Sequence, residues 1–141
     1  MRVLTKALLE QICKRIYNEL GPYHTEITYQ NAMEHELCKL NISYHREKQM
    51  PIMYDNQIVG HGYLDFLVKP HYAIEFKALT TSLINKDGEF NKSSSAQRHH
   101  NQLYKYLQGL NLKTGFLINF NVGSKEDIEV LELTNPFLGD E

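Results

Sequence analysis

The 141-residue chain predicts an α/β fold, a mixed β-sheet flanked by helices in the order ααβββαββ. Two amphipathic helical patterns open the chain, at residues 5–20 and 25–40. From residue 42 the hydrophobic period shortens to that of strands. A further helical pattern, 97–110, then separates these strands from two more, 114–121 and 127–133.

In the first helix Leu9, Ile12, Ile16 and Leu20 recur at helical spacing, and Gly21-Pro22 ends it. Thr25 is the candidate N-cap of the second, whose apolar stripe is Tyr29, Met33, Leu37 and Leu40. Stepping back three residues from Tyr29 reaches Glu26, so a carboxylate heads that stripe and points toward the domain rather than straight into water. Segments 43–49, 51–54 and 57–60 read as short strands, with Tyr54-Asp55-Asn56-Gln57 as a hairpin turn. Residues 62–69 and 72–79 carry the strongest strand patterns, separated by Pro70-His71. Residues 80–96 hold Asp87-Gly88, a serine triplet and little periodicity, which predicts a mobile loop. In the third helix Leu103, Tyr106, Leu107 and Leu110 share one face. Residues 1–133 are expected to form a single domain and 134–141 a C-terminal tail.

Composition narrows the class. Hydrophobic residues at 42% and aromatics at 11% suffice for a core without staples. A net charge of −2 argues against a protein that merely coats nucleic acid. Cys13 and Cys38 form neither a disulfide framework nor a CxxC pair, and both are expected as buried thiols in an intracellular protein. No run reaches the roughly 18 apolar residues of a membrane span, so no membrane partner is expected. His24, His35, His45, His61 and His71 lack zinc-type spacing. A GxSxG nucleophile setting and a phosphate-binding glycine loop are both missing.

The informative charges lie in the two strongest strands. Alternation puts Ile74, Phe76 and Ala78 on one face and Glu75 and Lys77 on the other. It groups Asp65 with Tyr63 and Leu67, against Leu64, Phe66 and Val68. Strands apolar on both faces are central ones, where a charge needs a partner or bears a desolvation penalty. The ordinary explanation is a surface face carrying a Glu–Lys pair beside an aspartate. A second explanation is chemical. Asp65 and Glu75 lie on adjacent strands joined by a short turn and can converge on a metal, with Lys77 roughly 7 Å further along. Hard divalent cations prefer such carboxylate oxygens. A bound cation lowers the pKa of water and neutralises charge on a reacting phosphate, and a lysine orients the water or steadies the developing charge. Glu26 is the third acid within reach of that cluster.

The series Glu26, Asp65, Glu75-Phe76-Lys77 and Gln102-Leu103-Tyr104-Lys105-Tyr106 resembles the PD-(D/E)XK nuclease superfamily, the last piece matching the QxxxY motif of its RecB-like branch. Gly21-Pro22, Glu26, Tyr29 and Glu36-Leu37, with the run from Gln102 to Phe120, are similar to the GxxExxY family. The resemblance covers about residues 5 to 121. It implies a restriction-endonuclease-like fold, with Asp65, Glu75 and the Phe76 carbonyl on Mg²⁺ or Mn²⁺. Lys77 would position or activate the water, Glu26 would complete the acidic cluster, and Gln102 and Tyr106 would brace the site or contact phosphate. Two positions depart from the family: Tyr23 stands where a second glycine is common, and Leu64 where alanine is common.

Lys92, Arg98, His99 and Lys105 could form a phosphate-facing patch, although a solvated helix start explains them too. Tyr106 also fits the apolar stripe of its helix, and Tyr29 fits a packing role. The expectation is a Mg²⁺- or Mn²⁺-dependent deoxyribonuclease working by direct attack of a metal-activated water. It would be an exonuclease or a structure-specific endonuclease, acting as a homodimer or beside a larger protein, with the 80–96 loop closing over nucleic acid. The alternative is a non-catalytic nucleic-acid-binding or assembly protein retaining the fold.

Overall fold

The computed structural model describes residues 2–68, 71–80, 82–84, 87, 89–90, 94–120 and 128–136. Helix α1 (Lys6–Leu20) starts where the Thr5 hydroxyl accepts the Leu8 N–H at 3.2 Å, and it stops at Gly21, with φ at 72°. Helix α2 (Glu26–Lys39) follows. Thr25 has the extended backbone of an N-cap but makes no capping bond with its side chain. Its hydroxyl lies 3.1 Å from that of Thr28 instead.

Strands β1 (Tyr44–Tyr54), β2 (Gln57–Val68) and β3 (Tyr72–Lys77), helix α3 (Ser94–Gly109), and strands β4 (Thr114–Asn119) and β5 (Glu129–Thr134) complete the expected order. The sheet runs β1-β2-β3-β4-β5. Neighbours are antiparallel except β3 and β4, and parallel strands need a crossover, which contains α3. The segments read as three short strands prove to be one long hairpin, because 57–60 runs on into β2. Pro51 lies in an edge strand, where a missing N–H is tolerated. The register shift between Ile52 and Met53 absorbs the remaining irregularity. Asp55 and Asn56, at φ 50° and 61°, make the left-handed pair that a two-residue hairpin turn requires.

Two cores form. Between the sheet and α1/α2 lie Leu9, Ile16, Tyr29, Phe66, Phe76 and Phe120 among others, with Tyr29 stacked on Phe120 at 4.2 Å. Between the sheet and α3 lie Leu64, Ala73, Leu83, Leu103, Tyr106 and Leu117. Gly115 allows α3 its close approach, since a Cβ there would stand 3.0 Å from Leu107 and 3.2 Å from the Ala73 carbonyl.

Three expectations need correction. Cys13 is buried, but Cys38 is exposed, its Sγ 3.4 Å from the Tyr44 hydroxyl. The 80–96 stretch is not without structure. Leu83 is buried, Ile84 bridges to Phe90, and α3 begins at Ser94, while residues 81, 85–86, 88 and 91–93 lie outside the described ones. Residues 134–141 are not all tail. Thr134 ends β5, and the buried Asn135 gives its N–H to the Lys113 carbonyl at 2.8 Å and its amide to the Leu112 carbonyl at 3.1 Å. Residues 137–141 lie outside the described ones. No described helix is long and apolar enough to cross a membrane.

Candidate active site

Strands β2 and β3 pair only from Phe66↔Ile74 to Val68↔Tyr72, and then they part. Where the ladder stops, the side chains of Asp65 and Glu75 replace it. Asp65 gives its N–H to Glu75 Oε1 at 3.0 Å, and Phe76 gives its N–H to Asp65 Oδ2 at 2.8 Å. Each acid thus fixes the other's strand, and both carboxylates are held in one fork. Because N–H and C=O of a strand residue point the same way, the Phe76 carbonyl also faces the β2 side.

A break in alternation aims Asp65 into this fork. Leu64 packs in the α3-side core, whereas Phe66 and Val68 pack in the α1/α2-side core. The expected grouping of Leu64 with Phe66 and Val68 is therefore wrong. The break falls at Asp65, opposite Glu47, whose φ is 57°. The β1–β2 pairing passes from Arg46↔Phe66 to Lys48↔Leu64 without joining these two residues. Local irregularities of this kind re-aim a side chain beside a functional site.

Electrostatics set this pair apart. Glu75 is only 4% exposed, and burial followed by the charge of Asp65 pushes its pKa up to about 8. Asp65 is also raised, chiefly by burial, against the lowering effect of the Phe76 N–H and the Lys77 charge. Glu26 raises both. A buried and a half-buried carboxylate that resist ionising together, both with hard oxygen donors, fit a divalent cation, which would relieve the repulsion. Glu26, half-buried at the start of α2, acts on the pair through its charge without joining it in a ligand set. Among the described residues, no group of three or more His, Cys, Asp or Glu side chains converges as a metal site.

Lys77 is half-buried at the end of β3, and its charge favours ionisation of both acids. Tyr106 is 5% exposed. Its hydroxyl accepts the Tyr63 backbone N–H, and its pKa is raised first by burial and then by Glu75. The hydroxyl end of the ring lies close against Gly62, where a Cβ would come within 2.8 Å of it. Gln102 is exposed and reaches the Tyr106 hydroxyl at 3.5 Å, a long contact. Arg98, His99, Gln102 and Lys105 line one open groove with Gln97 and Asn101. His99 is lowered by burial and then by the charges of Lys77 and Arg98, which ties this groove to the fork. Lys92 lies outside the described residues.

Sequence reasoning missed Glu47, Tyr63 and a polar clamp beneath the site. Glu129 accepts the N–H groups of Leu83 and Ile84, both at 2.9 Å. The buried Asn119 gives its amide to Glu129 and accepts the Leu79 N–H, again at 2.9 Å each. An asparagine within the apolar run of β4 was the available signal for that clamp.

Comparison with known proteins agrees with this fold. The crystal structure of SSO0001 is similar, with a TM-score of 0.56 at 19% identity over 79% of this chain. The match takes in 50% of that chain, so the present chain spans about half its length. A phage-related exonuclease from Haemophilus somnus 129PT is also similar, with a TM-score of 0.44 and 12% identity over 95% of this chain and 74% of that one. No curated protein matches the chain. The family profile of the PD-(D/E)XK nuclease superfamily matches residues 3–131, nearly the whole sequence. The chain belongs to the PD-(D/E)XK nuclease superfamily.

Proposed function

We propose that this protein hydrolyses phosphodiester bonds in DNA with Mg²⁺ or Mn²⁺ held by Asp65, Glu75 and the Phe76 carbonyl. The observation that carries the reading is the fork, where buried Glu75 and half-buried Asp65 exchange hydrogen bonds with each other's strand. When bound, the cation would make water a stronger nucleophile and neutralise charge on the reacting phosphate. Asp65 and Glu75 contribute negative charge at a fixed spacing, because their backbone partners leave little freedom of rotation. Lys77 holds the attacking water and offsets the charge that builds on the phosphate oxygens. Water attacks phosphorus directly, with no covalent enzyme intermediate.

Glu26 adds negative charge at the edge of the site. Tyr106 and Gln102 brace the β2 side, Tyr106 through the Tyr63 N–H. Arg98, His99 and Lys105 line the groove that would receive the phosphate strand, with Lys92 added from sequence. The catalytic unit runs through β5 to Asn135, and its motifs are similar to those of the GxxExxY branch. It acts inside the cell on DNA ends or branched structures, as a homodimer or beside a larger protein.

The test is cleavage of labelled single-stranded, double-stranded and branched DNA with Mn²⁺, comparing wild type with Lys77→Ala and Asp65→Ala. Loss of cleavage in both folded variants supports the reading. Absence of cleavage by wild type on every substrate would favour the non-catalytic nucleic-acid-binding or assembly role.

A further inference from the structure

Beside Glu26, the turn Gly21-Pro22-Tyr23-His24 carries an aromatic residue that the fold does not use. Tyr23 has φ at +75°, a conformation that disfavours L side chains. Proline followed by a positive-φ residue is the pattern of a type II turn, whose third position favours glycine. The turn is rigid, since the Tyr29 hydroxyl stands between its two ends. That hydroxyl donates to the Gly21 carbonyl at 2.6 Å and accepts the His24 N–H at 3.4 Å. The His24 ring is itself held against the Leu20 carbonyl at 2.9 Å and edge-on to Tyr29. Tyr29 in turn lies stacked in the core.

A pinned turn therefore presents Tyr23 at 81% exposure. Packing offsets little of the backbone strain, and strain of this kind gathers at functional sites. Tyr23 also lines a groove with His24, Thr25, Glu26, Ile27 and Ala78. Glu26, which lines this groove, acts through its charge on both Asp65 and Glu75, so the groove lies beside the fork. The acid in this groove opposes a phosphate, while the phosphate-compatible cations lie in the α3 groove. A neutral ring with an exposed π-face suits what remains of a nucleotide, its base.

We infer that Tyr23 is a substrate-binding residue that stacks an unpaired nucleobase next to the phosphate held at the Asp65–Glu75 fork. The inference rests on the nuclease reading for its substrate, and its test separates the two. The chain contains no tryptophan, so Tyr23→Trp places a single indole at the site. It is made together with Lys77→Ala so that the strand is not cut. Oligothymidylate with Mg²⁺ should quench the indole emission, and an abasic oligomer of equal length should not. With wild-type Lys77, Tyr23→Gly should raise KM for single-stranded DNA about 10-fold, leave kcat nearly unchanged and raise Tm. Tyr23→Phe should keep the wild-type KM. Unmoved emission at saturating oligothymidylate, or a wild-type KM in Tyr23→Gly, overturns the inference. Quenching in a protein whose wild type cuts nothing would sink the nuclease reading alone, and cleavage without quenching would sink the stacking alone.

Discussion

Replacing Glu75 with glutamine should stabilise the metal-free protein at alkaline pH and change little near pH 5. Glu75 is 4% exposed, and its pKa moves from the ordinary 4.5 to about 8. The folded-state value lies above the unfolded one, so between them the folded state holds a proton that the unfolded state has released. Stability from this group is complete below pH 4.5, falls as pH rises and is lost above about 8. Titrating alone, the group would account for about 5 kcal/mol. Asp65 shares the same protonation, so the gain expected is smaller than this. For a chain of this length each kcal/mol gained corresponds to a Tm rise of about 2–4 °C. Glutamine keeps an oxygen for the Asp65 N–H that Glu75 now accepts at 3.0 Å, so the variant isolates charge from hydrogen bonding. The assay is thermal unfolding in chelator at pH 5.5 and pH 9. The Tm difference between variant and wild type should grow with pH. An equal difference at both pH values, or a less stable variant at pH 9, would refute the reasoning. Adding Mn²⁺ at pH 8 should then raise the wild-type Tm and leave the variant almost unmoved.

Gly62→Ala should destabilise the fold by about 1–3 kcal/mol, because its Cβ would stand 2.8 Å from the Tyr106 ring; an unchanged urea midpoint would show that the ring moves freely. Glu129→Ala removes the acceptor of the Leu83 and Ile84 N–H groups. A loss of about 2–3 kcal/mol and faster proteolysis between residues 80 and 90 are expected, and wild-type protease resistance would exclude the clamp. Arg98→Ala and Lys105→Ala should each lower the salt dependence of DNA binding, taking roughly 0.7–0.9 off the slope of log K against log salt. Equal slopes in wild type and both variants would remove this groove from the phosphate path.

Much of this protein was legible along the chain, because it depends on neighbouring side chains. The helical stripes of Leu9–Ile12–Ile16 and Leu103–Tyr106–Leu110, the Asp55-Asn56 turn and the order of helices and strands along the chain follow from local periodicity and turn chemistry. Asp65, Glu75 and Lys77 also stood out locally, as charges within strands apolar on both faces. Tertiary structure decided what depends on distant contacts. The hairpin looked like separate short strands, with gaps at residues 50 and 61, because a local pattern says nothing of an edge position or a partner strand. Alternation failed at Asp65 because β2 is irregular there, opposite Glu47, at the point where its ladder with β3 stops. Whether Glu26 joins the acids or only acts on them from a distance depends on how α2 sits over the sheet. The bond from Tyr29 that pins Tyr23, and the grip of Asn119 and Glu129 on Leu79, Leu83 and Ile84, join residues that no periodicity relates. The sequence determined which groups carry charge and which face of each element is apolar, and only packing determined the separations and exposures through which those charges act.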